Sequence, residues 1–78
     1  MTLEEAKKCF PPIWVVYDRP RDFPTSLVVR IWYGEVADPG GALYPSLPHA
    51  RAAILNAGGS VKLARHPEDD PCIAETWL

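Results

Sequence analysis

The stretch Ile13–Tyr33, IWVVYDRPRDFPTSLVVRIWY, leaves this chain few folds to choose from. It reads as two β-strands joined by a proline-punctuated corner. Ile13-Trp14-Val15-Val16-Tyr17 is β-branched or aromatic throughout, the composition that a pleated, half-buried surface selects. Leu27 to Val36 forms the second arm. Side chains alternate between the faces of a strand, so Leu27, Val29, Ile31 and Tyr33 point one way and Val28, Arg30 and Trp32 the other. The charge on Arg30 marks the second set as the wetter face. On the first arm, Ile13, Val15 and Tyr17 are expected to join the core set, leaving Trp14 and Val16 outside. Between the arms, Pro20 and Pro24 lack an N–H and push the residue before each out of the helical region. Residues 18–25 therefore make a rigid corner, with Phe23 folding back onto the edge of the core.

Length sets the scale. Seventy-eight residues make one domain, 1–78, with residues 1–11 as an N-terminal segment that is either loosely attached or helical. A chain this short buries about 60–65% of the surface its unfolded form exposes, and dimerisation is one way to add buried area. A hydrophobic content of 47% with 23% charged residues is that of a folded protein. The opening Met1-Thr2-Leu3-Glu4-Glu5 is acidic where a secretory signal would be basic, and no apolar run approaches the roughly 20 residues of a membrane span. A cytosolic protein with reduced Cys9 and Cys72 is expected.

The formal charge of −2 is unevenly spread. All the lysines and arginines lie in residues 1–65, whereas residues 66–78 carry Glu68, Asp69, Asp70 and Glu75 and no cation. This acidic end is either a solvated loop or a patch that meets a basic partner. Direct nucleic-acid binding is not expected, because no basic footprint exists.

The remaining elements follow from punctuation. Thr2-Leu3-Glu4-Glu5 fits a capping box for a short helix stopped before Pro11-Pro12; eight residues are too few to hold alone in water, so a frayed tail is the alternative. Ala37-Asp38-Pro39-Gly40-Gly41 is a loop by composition. Ser46 is expected to cap a helix over Leu47 to Asn56, with Pro48 in its first turn and Gly58-Gly59 as its left-handed stop. Leu47, Ala50, Ala53, Ile54 and Ala57 form its inward stripe, with His49 and Arg51 outward. Residues 60–64 read as a third strand with Val61 and Leu63 inward, residues 65–71 as a second proline-framed corner, and Cys72 to Leu78 as the last strand. The expected class is α+β: a four-stranded, mostly antiparallel sheet covered on one face by one helix, ββαββ, with the optional helix in front.

The last strand has two phases, Cys72, Ala74, Thr76 and Leu78 against Ile73, Glu75 and Trp77. Glu75 places the second set on the wetter face, as Arg30 did for the second strand. Trp14, Trp32 and Trp77 would then share the uncovered face beside Arg30 and Glu75. Such a cluster has the composition of an interface core; the alternative is a small sheet that carries tryptophan on both faces.

Chemistry of other kinds finds little support. His66, Asp69, Asp70 and Cys72 are close in sequence but lack metal-ligand spacing. Ser26, Ser46, Ser60 and the cysteines sit in no nucleophile elbow, and Asp18 and Asp22 share their corner with Arg19 and Arg21, which points to ion pairing and turn capping. No phosphate-binding glycine loop is present. The residues point to a binding module and not to an enzyme.

The run Trp14-Val15-Val16-Tyr17-Asp18-Arg19-Pro20-Arg21-Asp22-Phe23-Pro24, with Val28-Val29-Arg30 and Trp32, resembles a family of very small phage and prophage proteins. The tail Pro67-Glu68-Asp69-Asp70-Pro71-Cys72-Ile73-Ala74-Glu75-Thr76-Trp77 resembles their shared ending. The resemblance covers about half the chain and extends to anti-CRISPR proteins acting on type I systems, type I-C among them. It implies a stoichiometric inhibitor, with no cofactor, in the bacterial cytoplasm that binds protein subunits of the Cascade surveillance complex on their basic, DNA-receiving surface. Glu68, Asp69, Asp70 and Glu75 would face the cations of that surface, and Trp14, Trp32 and Trp77, with Arg30, would anchor the contact. A net charge of −2 is low for a mimic of double-stranded DNA. A reading from another class is a homodimeric structural or accessory phage protein that uses the same aromatic face for self-association. The cysteines leave four arrangements open: both buried, an internal bridge, a link between chains, or one reactive thiol. Of these, a Cys72–Cys72 link between chains after air oxidation is the one expected outside the cell.

Overall fold

The fold, taken from a computed structural model, is described for residues 1–63 and 71–78. Among these residues two helices and six strands follow in the order α1 (Leu3–Cys9), β1 (Pro12–Asp18), β2 (Leu27–Tyr33), β3 (Val36–Ala37), β4 (Ala42–Tyr44), α2 (Leu47–Ala57), β5 (Lys62–Leu63) and β6 (Ile73–Trp77). The α+β class stands. The sheet is antiparallel in the order β3-β2-β1-β6-β5, and β4 pairs with β2 on the same side as β3. The expected four strands thus become six, because the arm read as Leu27 to Val36 ends at Tyr33 and folds back. Gly34, at φ +63°, and Glu35 form a two-residue turn that brings Val36 opposite Tyr33, and glycine suits a turn position with positive φ.

β3 and β4 are one edge strand with an interruption. Trp32 pairs with Ala37, and Val29 pairs with Ala42, so residues 38–41 lie opposite only Arg30 and Ile31. Asp38 holds this bulge: its backbone N–H donates to the Ile31 carbonyl at 2.8 Å, and its Oδ1 accepts from the Gly40 N–H at 2.9 Å. Such an interruption shortens the free edge available for unwanted strand pairing.

The optional N-terminal helix forms. Thr2 Oγ1 accepts from the Glu5 N–H at 3.2 Å and donates to Glu5 Oε1 at 3.0 Å, and the helix stops before Pro11-Pro12. Ala6 is fully buried where α1 packs beside β2 and β3. Lys7 ties the helix down by pairing with Asp38 and lying over the Tyr33 ring.

Register corrects the expected faces. Val16 pairs with Val29, and Trp14 with Ile31. Paired residues share a face of the sheet, so Trp14 and Val16 point to the same side as Leu27, Val29 and Ile31, the side covered by α2. Both belong to the core, together with Ala50 and Ile54 of α2. Ile13, Val15 and Tyr17, expected inside, point to the opposite side. Periodicity could not decide this, because both faces of β1 are apolar.

β6 is inverted in the same way. Trp77 pairs with Trp14, and Glu75 with Val16, so Trp77 and Glu75 turn inward at 8% and 6% exposure. A one-residue bulge follows: Ile73 pairs with Tyr17, and Ala74 packs against the core. In β5, Lys62 pairs with Trp77 on the α2 side, whereas Leu63 pairs with Thr76 on the outer side. Val61 and Leu63, expected inward, are therefore exposed. Ser60 and Val61 join this edge through backbone bonds to Leu78. The end of the expected third strand and the acidic residues Glu68, Asp69 and Asp70 lie outside the described residues.

The helix over Leu47 to Asn56 is observed as Leu47–Ala57. Ser46 is extended and precedes it without a side-chain capping bond. The two glycines after α2 do different work. Gly58 adopts φ +113° and donates to the Ile54 and Leu55 carbonyls, closing the helix in the left-handed conformation. Gly59 is buried, and a Cβ there would lie 2.4 Å from Ile54 Cγ2 and 3.1 Å from the Ile54 carbonyl oxygen. Gly58→Ala should cost about 1 kcal/mol, the left-handed penalty, because nothing stands near its Cβ. Gly59→Ala should cost more, about 1–3 kcal/mol, because a close-packed site must shift. Urea unfolding of the two variants checks the order; equal losses would mean that steric approach at Gly59 does not matter.

Candidate functional site: the outer groove of the sheet

With Trp14, Trp77 and Glu75 under α2, only Trp32 and Arg30 of the expected aromatic face remain on the outer side. There they help to form a groove. The corner after β1 builds one wall. Arg19 takes φ +47°, and its N–H donates to the Ser26 carbonyl at 3.1 Å. The Phe23 N–H donates to Pro20 at 2.9 Å, and the Ser26 N–H to Phe23 at 3.2 Å. These turns bring Pro20, Asp22 and Phe23 over Tyr17, Val28, Arg30, Trp32 and Ala37, enclosing a groove of about 320 Å³. Phe23 folds back over the outer side of the sheet and stays 39% exposed, so it does not join the core edge where it was expected.

The groove is aromatic and apolar with one charge of each sign. Arg30 is half-buried, and Asp22 is exposed at the rim. Among the described residues neither makes an ion pair or a side-chain hydrogen bond; the ion pairs there are Lys7–Asp38, Asp18–Arg19, Arg51–Glu75 and Lys62–Glu75. The indole N–H of Trp32 is shielded from solvent and meets no acceptor among the described residues, as is that of Trp14. An unmet buried donor costs about 1–3 kcal/mol.

A second polar constellation lies on the α2 side. Arg51 Nε donates to both Glu75 oxygens at 3.0 Å, and its Nη2 also reaches Oε2. The Trp77 indole N–H donates to Glu75 Oε1 at 3.2 Å, and Lys62 Nζ stands 3.5 Å from Oε2. The Arg51 hydrogen bonds hold the Glu75 carboxyl below the usual carboxylate range, assisted by Trp77 and Lys62 and opposed by burial. Glu75 also raises the Arg51 pKa through the same bonds. This cluster clamps α2, β5 and β6 together. Glu75 is therefore engaged within the chain, where the sequence pattern placed it on a partner surface. Arg51 was missed because helical periodicity assigned it to solvent, and no local signal links it to Glu75, 24 residues away.

Two further hollows have simpler walls. Trp14, Gly40, Ala42, Ala53, Ile54 and Ala57 help to line an apolar space of about 130 Å³ beneath α2. The other, of about 510 Å³, lies between Met1, Phe10 and the Gly34–Val36 turn. Cys9 is exposed, Cys72 is half-buried, and neither is bridged within the chain. The Cys72 carbonyl accepts from the Asp18 N–H at 2.7 Å, which fixes the start of β6 beside the end of β1. No group of three or more metal-ligating side chains occurs among the described residues, and no helix there is long and apolar enough to cross a membrane. Comparison with protein-family models, curated proteins and solved structures finds no match.

Proposed function

We propose that this chain is a stoichiometric binding protein that docks on the basic, DNA-receiving surface of a type I Cascade complex and blocks recruitment of target DNA. The partner is named by the resemblance to small phage proteins alone. The observation that carries the binding reading is the outer side of the β5–β6 edge. Val61 and Leu63 are 50% and 39% exposed there, and Leu78 is 45% exposed. Exposed apolar residues grouped in this way mark contact surfaces. The chain segment joining β5 to β6 carries Glu68, Asp69 and Asp70. In the complex these acids would face lysines and arginines that otherwise hold phosphates, while the apolar residues anchor the contact. Glu75 contributes to stability and not to this surface.

Target-DNA binding by the purified complex, measured with increasing amounts of this protein, tests the proposal. DNA binding is expected to fall as the protein reaches one equivalent, and the inhibition to weaken at higher salt, because exposed charges are screened. Replacing Glu68, Asp69 and Asp70 by their amides should weaken inhibition at least tenfold. Undiminished DNA binding with the protein in excess would sink the proposal. The second reading, a homodimeric accessory protein, is favoured by the groove between β1, β2 and their corner.

A further inference from the structure

We infer that two copies of this chain associate about a two-fold axis through the outer groove, with Arg30 of each protomer pairing with Asp22 of the other. Four observations lead there. The groove is apolar and aromatic, lined by Tyr17, Phe23, Val28 and Trp32. Phe23 remains 39% exposed, and Leu43, which pairs with Val28 on the same face, remains 50% exposed. Arg30 and Asp22 line this one groove, yet among the described residues neither has an ionic partner. The two charges stand on different walls, Arg30 on the strand floor and Asp22 on the corner.

The occupant follows from charge complementarity. A two-fold interface brings a patch against itself, so every contact of residue i with residue j is repeated as j with i. A charged patch suits this when it carries both signs, each unpaired within the protomer and set apart on an apolar surface. A basic partner would meet Arg30 with repulsion, and an acidic partner would meet Asp22 in the same way. A second copy satisfies both, and an arginine–carboxylate pair can form two parallel hydrogen bonds. A standard interface needs about 800 Å² from each partner, roughly one-seventh of the 5217 Å² that this chain exposes. β5, carrying Leu63, lies beyond β6, two strands from β1, which supplies Tyr17 to the groove. The dimer would therefore leave two copies of that edge free.

Sedimentation equilibrium of the full chain in reducing buffer, over a wide concentration range, tests the assignment; the reductant removes any Cys72 link. A mass that doubles with concentration is expected. Arg30→Asp and Asp22→Arg should each weaken the dimer at least tenfold, because each sets two like charges against each other twice. Arg30→Gln should weaken it less, and in the same direction. Mixing Arg30→Asp with Asp22→Arg in equal amounts should restore a dimer of parental strength, since both ion pairs re-form across the mixed interface. Circular dichroism of each variant, matching the parent, establishes that the fold is kept; a variant that fails this is replaced by Arg30→Gln or Asp22→Asn in the same assay. A parent that stays monomeric at every concentration overturns the inference. So does dimerisation that neither substitution weakens, or a mixture of folded variants that fails to recover.

Discussion

Trp14→Ala is expected to cost about 3–5 kcal/mol, enough to unfold much of a domain of this size at ambient temperature. Trp14 is 6% exposed and touches the core from the centre of the sheet, between β2 and β6. Its removal would empty the space between Val29, Ile54 and Trp77, and close-packed neighbours refill such a space only in part. Trp77→Ala should behave similarly, with an added loss at Glu75, which accepts the Trp77 N–H. Trp32→Ala should cost much less, because Trp32 is half-exposed on the outer face, whereas Trp14 is buried in the core. Chemical denaturation of the three variants, compared at equal slope, is the measurement. If Trp32→Ala proved the most destabilising and Trp14→Ala the least, the face assignment would be wrong.

Glu75→Ala carries the second large effect, about 2–3 kcal/mol at neutral pH. The change removes charge-assisted bonds from Arg51 and leaves the buried Trp77 N–H without its acceptor. The estimate sits below the usual cost of breaking a buried pair, because the Arg51 side chain is 41% exposed and can return to water. pH gives a sharper test. The Glu75 carboxyl titrates lower in the folded chain than its ordinary value of 4.5. Its contribution is therefore fully present above pH 4.5, and is lost as pH falls from there through the folded value. The stability gap between the parent and Glu75→Gln should be largest near neutrality and should narrow as the solution is acidified. A gap that stays constant from pH 7 to pH 3 would show that the Glu75 charge makes no net contribution.

Much of the local structure was legible from residue chemistry. The Thr2 cap, the Pro11-Pro12 stop, the left-handed exit at Gly58 and the rigid 18–25 corner all depend on neighbours within a few residues. The inward set of β2 was legible too, since Arg30 distinguishes its two faces. Gly34 offered a turn signal inside the second arm, but Val36 beyond it read as a continuation of the strand. At the groove, the sequence supplied Arg30 and Trp32 and the return of Phe23. It offered no way to see that Asp22 shares that groove without a partner.

The faces of β1, β5 and β6 were decided by the tertiary structure. Both phases of β1 are apolar, so only the pairing of Asp18 with Leu27, imposed by the length of the corner, sends Trp14 and Val16 toward α2. The charge of Glu75 signalled solvent, and the inference failed because a carboxylate can be buried when cations and donors reach it. Those partners, Arg51 on α2 and Lys62 on β5, stand 24 and 13 residues away in sequence. A strand's alternation states which residues share a face. Which face is inside depends on register and on remote partners, and these exist only once the chain has folded.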